Sequence, residues 1–77
     1  MGNKGVTYNL DTLEAGDKLV NLCKKYPGLE IDVCCGSYTV DGRSYLGVAS
    51  IIGRQVEVKA IGREETIEDF YKEVQSI

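Results

Sequence analysis

Four short segments of this chain alternate between apolar and polar residues, and that pattern leaves few folds open. Val6–Leu10 sets Val6, Tyr8 and Leu10 against Thr7 and Asn9. Residues 29–35 set Leu29, Ile31, Val33 and Cys35 against Glu30, Asp32 and Cys34. Tyr38–Asp41 follows across a Gly36-Ser37 turn, and residues 55–61 set Val56, Val58 and Ala60 against Glu57 and Lys59. Successive side chains of a strand point to opposite faces, so each segment predicts a strand buried on one side and wet on the other. Parallel strands covered on both faces would read as continuous apolar runs. The chain is therefore expected to form an antiparallel sheet with its helices packed on one face.

Between these segments the spacing changes to the helical one. From residue 12 to residue 26 the apolar positions are Leu13, Gly16, Leu19, Val20, Cys23 and Tyr26, on one face at helical period. Asp11 and Glu14 predict a capping-box start, and Pro27-Gly28 predicts the stop. Residues 44–52 form a short apolar helix. Residues 66–77 form a last helix with Ile67, Phe70, Tyr71 and Val74 inward, and Glu64, Glu65, Glu68 and Asp69 crowd its positive end. The expected order is β-α-β-β-α-β-α, an α+β architecture. Residues 1–4 read as a loose leader and 5–77 as a single domain.

Composition removes several functions. A 43% apolar fraction supports a packed core and argues against disorder. The net charge is −3 and the basic residues are scattered, so no cationic stripe follows a phosphate backbone and no nucleic-acid partner is expected. No apolar run approaches the roughly 18 residues of a membrane span, and the MGNKGV start is too polar for a secretory signal. Three cysteines without metal-finger spacing predict a reducing, cytoplasmic setting and no metal. Cys23 and Cys35 belong to core faces and Cys34 to the wet face. No cofactor and no enzymatic activity are expected, and the chain is expected to be a monomer or weak homodimer.

The segment VDGRSYLGVASIIG, residues 40–53, carries the most specific pattern. It joins a strand end, the Asp41-Gly42 turn, a helix-capping Ser44 and the apolar pair Tyr45-Leu46. With the strand that follows it, this segment resembles the histidine-containing phosphocarrier family HPr of the bacterial sugar phosphotransferase system. In that family a strand and turn lead to Lys-or-Arg-Ser, an apolar dipeptide, often Gly-Val, and then a strand ending in glycine. Arg43, Ser44, Tyr45, Leu46, Gly47 and Val48 match position by position, and the likeness spans roughly residues 5–77. It implies the HPr open-faced β-sandwich.

The resemblance fails at the residue that names the family. Its active-site motif, Gly-Leu-His-Ala/Thr-Arg-Pro-Ala, falls on Leu10, Asp11, Thr12, Leu13, Glu14, Ala15 and Gly16. Thr12 occupies the phosphohistidine position and Glu14 the arginine position, and the chain contains no histidine. A phosphohistidine needs an imidazole nucleophile and a nearby cation to hold the dianion. A threonine ester would not transfer its phosphate reversibly, and Asp11 and Glu14 repel an incoming phosphate. The sequence thus predicts an HPr-like module without phosphocarrier activity that binds a protein. It resembles the catabolite-repression relative of HPr, which also lacks the histidine and binds a transcription regulator. The alternatives are a degenerate component docking on enzyme I or a sugar permease domain, or a purely structural domain.

Ser44 reads as an N-cap worth about 1 kcal/mol. The resemblance adds a regulatory phosphorylation there, with Arg43 placed to pair with the phosphate. Arg43, Tyr45, Leu46 and Ala49 are the expected partner-binding residues. The apolar pattern leaves open whether Leu46 faces outward or turns in with Val48 and Ile51.

Overall fold

The computed structural model describes residues 4–77. Of the leader expected at residues 1–4, residues 1–3 lie outside the described part. The elements run β1 (Val6–Leu10), α1 (Leu13–Lys24), β2 (Glu30–Cys35), β3 (Tyr38–Asp41), α2 (Tyr45–Ala49), β4 (Arg54–Ile61) and α3 (Glu64–Ser76). The strands form one sheet in the order β1-β4-β2-β3, and every neighbouring pair is antiparallel. This is the α+β arrangement that the alternation predicts.

The register shows why the sheet has two characters. Tyr8 opposes Val56, Val33 opposes Val58, and Ile31 opposes Ala60. All six side chains are buried in one cluster with Leu19, Cys23, Phe70 and Val74 from the helices. Burying each large apolar side chain contributes roughly 1.5–3 kcal/mol. On the other face Thr7, Asn9, Glu30, Asp32 and Thr39 are exposed, and Glu57 and Lys59 are half-exposed. Lys59 Nζ lies 3.8 Å from the Glu57 carboxylate on that open face. Among the described residues no polar or charged residue is fully buried.

The β2–β3 hairpin closes across Cys35 and Tyr38. Gly36 takes φ +62, and among the described residues no non-glycine residue has a positive φ. That is the type II′ pattern, in which only the first central residue is left-handed, so glycine belongs there.

Several expectations at helix starts and ends are corrected. The N-cap of α1 is Thr12, whose Oγ1 accepts a hydrogen bond from Ala15 N at 3.1 Å. Asp11 is one residue too early to reach those amides, so the expected capping box does not form. Leu13, placed on the buried face by spacing alone, is 59% exposed, while Leu22 is buried. The first turn of α1 is exposed, and the core stripe begins at Gly16. The short helix ends at Ala49 rather than 52, because Ile51 N and Ile52 N bond to Val48 O and Ala49 O in tighter turns. The last helix begins at Glu64 rather than 66, which puts Glu64 and Glu65 in its first turn. Cys35 is half-buried and packs against the core, on the face expected of it, whereas Cys34, expected on the wet face, is half-buried as well.

Candidate functional site

The candidate site is the seam between α1 and α2, and four local interactions build it. Ser44 begins α2: its Oγ accepts from Gly47 N at 3.1 Å, and its carbonyl accepts from Val48 N at 2.9 Å. The turn before it is held by Asp41, whose Oδ1 accepts from Arg43 N at 2.9 Å and whose carbonyl accepts from Ser44 N at 3.0 Å. After α2, Gly53 N donates to Leu10 O at 2.6 Å, which ties the tail of α2 to the residues just before Thr12. Midway, Gly16 lets the two helices approach. A Cβ at Gly16 would lie 3.1 Å from Ile52 Cδ1 and 3.5 Å from Val48 Cγ1.

These contacts fix which side chains share the surface. Val48 is fully buried, so Leu46, two residues away on the helix, points outward and is 82% exposed. Gly47 faces β3, where a Cβ would lie 3.1 Å from Val40 Cβ. Tyr45 and Ala49, each two residues from Gly47, therefore lie on the α1 side of α2; Tyr45 is 43% exposed and Ala49 half-buried. On α1, Glu14, Ala15 and Lys18 turn toward β1 and α3, where with Thr12 they line a cavity of about 330 Å³. Leu13 stays on the opposite flank, the one facing α2. Leu13, Tyr45, Leu46 and Ala49 thus form a semi-exposed apolar strip beside the start of α1. The alternative in which Leu46 turned inward is not what the fold adopts.

The polar groups at the α1 start are engaged within the fold. Thr12 uses its hydroxyl oxygen on Ala15 N and its carbonyl on Gly16 N. Tyr8 donates its hydroxyl to Ala15 O at 2.8 Å. Burial raises the Tyr8 phenol above its ordinary value, and the nearby Asp11 carboxylate adds to the rise. Asp11 and Glu14 are both exposed here, and Lys18 lines the same cavity as Thr12 and Glu14. Among the described residues no group of three or more His, Cys, Asp or Glu is placed to hold a metal. Nor is any described helix long and apolar enough to cross a membrane.

Arg43 is placed differently from the sequence expectation. Its Nη2 donates to Leu29 O at 2.6 Å and to Tyr26 O. The guanidinium is turned into the α1–β2 connection and is half-buried there. It is not extended over Ser44 or toward the outer strip. Spacing could not show this, because the two acceptors are backbone carbonyls from a distant segment. Leu13 was likewise missed as a surface residue, although a leucine directly after an N-cap threonine lies in the first, least covered turn.

No family model matches the chain, and no curated protein matches it. Among solved structures the chain is similar to a crystal structure of HPr-C-His from Thermoanaerobacter tengcongensis, with a TM-score of 0.70. The two share 23% identity over 95% of this chain and 92% of that one. The fold is HPr-like.

Proposed function

We propose that this chain is an HPr-like, non-catalytic module that acts by binding a protein through the α1–α2 strip and does not carry phosphate. The observation that carries the reading is the strip itself. An apolar pair, Tyr45 and Leu46, stands exposed on a helix next to an α1 start that has no histidine. Exposed apolar side chains grouped on a small domain mark contact surfaces. The likeness to HPr supports the same conclusion, since an HPr-like fold is a protein-interaction module of phosphotransferase systems. In this reading Thr12 stands where a phosphocarrier has its histidine, and acts only as a helix cap. Ser44 is the residue at which a kinase would regulate the surface, because a phosphate there adds about two negative charges at the edge of the strip.

The experiment is an affinity capture from the source cell, with the wild-type protein and Leu46→Asp as paired baits. Leu46 is so exposed that the substitution leaves the core intact. The proposal expects a protein recovered by wild type and lost with Leu46→Asp. A transcription regulator would favour the regulatory form, and enzyme I or a permease domain would favour docking within the phosphotransferase system. Equal recovery by both baits would refute the strip as the binding surface.

A further inference from the structure

We infer that Arg43 is a positioning residue: it orients α2, and with it the Tyr45–Leu46 surface, by gripping the α1–β2 connection. The inference rests on the reading of that surface as a docking site, and it assigns Arg43 a role other than touching the partner. Three observations lead to it. First, one guanidinium nitrogen bonds to two carbonyls, Leu29 O at 2.6 Å and Tyr26 O. Both belong to the connection that follows α1, fourteen and seventeen residues earlier in the chain. Second, the same residue offers its backbone N–H to Asp41 Oδ1 at 2.9 Å, so both ends of Arg43 are engaged. Third, the residue that follows it is the N-cap of α2. A helix of five residues has too few internal hydrogen bonds to hold its own direction. Its start must be set by what surrounds it, and the Arg43 side chain is a polar tether at that end, beside the backbone bond from Gly42 N to Ile31 O at 2.9 Å.

The acceptors are themselves braced. Leu29 N donates to Tyr26 O at 3.1 Å, which closes the connection into a compact turn. The Tyr26 hydroxyl donates to the Glu73 carboxylate of α3, and its ring meets Phe70 edge-on at 5.2 Å. Arg43 thus fastens the short helix α2 to a node shared by α1 and α3. Charged donors on neutral carbonyls make stronger bonds than neutral pairs. The Asp41–Ser44 turn would keep its backbone bonds without the guanidinium, and Val48 would stay in the core, but the start of α2 would lose its tie to the α1–β2 connection.

Native-state hydrogen exchange by NMR tests this without a partner. The variants are Arg43→Met, which keeps most of the apolar stem, and Arg43→Lys, which restores a cationic donor. Arg43→Met is expected to speed exchange of Val48 N and Ser50 N, the amides bonded to Ser44 O and Leu46 O. The expected increase is about tenfold to a hundredfold. The β2 and β4 amides should change far less, and Arg43→Lys should recover part of the protection. Uniform acceleration across helices and sheet would make Arg43 a general stabiliser and overturn the inference. Unchanged exchange in α2 would overturn it as well. The docking reading is judged separately, by Leu46→Asp in affinity capture.

Discussion

Thr12 and Ser44 do the same local work at the two helix starts that border the candidate surface. Each is in extended conformation, with its side-chain oxygen accepting from the amide three residues on. Ser44→Ala is therefore expected to cost about 1 kcal/mol, measured by chemical denaturation. Ser44→Asp should keep most of that stability, since aspartate is also a good cap. Tyr26 gives a second test at this scale. Its hydrogen bond to the Glu73 carboxylate, followed by burial, pushes its phenol from 10.0 up to about 12. The neutral phenol is the form the fold favours. Its contribution is complete below pH 10 and is lost as the pH rises from 10 to about 12. Burial pushes the Cys23 thiol from 9.0 up to about 12, so Cys23 acts in the same direction from pH 9 upward. The melting temperature should fall across this window, and Tyr26→Phe should make the fall shallower while leaving the Cys23 part. An unchanged slope in Tyr26→Phe would show that the Glu73 contact contributes nothing.

The strands are the elements most legible in the sequence. Alternation at Val6–Leu10 and in β2 and β4 names the buried face of each, and the observed burial follows it. Helix edges were less legible, for a physical reason. Periodicity marks which side chains repeat, but capping depends on one hydroxyl reaching one amide, and Asp11 and Thr12 both have the chemistry for it. Leu13 shows the other limit: its spacing fits the core stripe, yet it lies in the exposed first turn of α1. The resemblance singles out Tyr45, Leu46 and Ala49, but the apolar pattern leaves the direction of Leu46 open, and only the burial of Val48 in the fold turns it outward. The role of Arg43 was not legible, because its acceptors are carbonyls brought near only by the fold. At the level of elements, Gly16 controls the α1–α2 spacing. Gly16→Leu has no room against Ile52 and Val48 and should destabilise the fold by roughly 1–3 kcal/mol or more through overpacking. A denaturation midpoint equal to wild type would mean that α2 can move aside at no cost.

Taken as a whole molecule, the chain has the HPr-like fold and lacks the residue through which a phosphocarrier works. The sheet, the core and the α1–α2 packing form the scaffold, and in our proposal the exposed strip is the part that acts. On this account the scaffold presents a surface and exchanges no phosphate. The direct test is incubation with enzyme I and phosphoenolpyruvate, followed by intact-protein mass spectrometry before and after mild acid. The account predicts no acid-labile phosphoryl group on the protein, because it has no histidine and Glu14 adds negative charge at the start of α1. An added phosphoryl mass that is lost in acid, or that passes on to a permease domain, would contradict it.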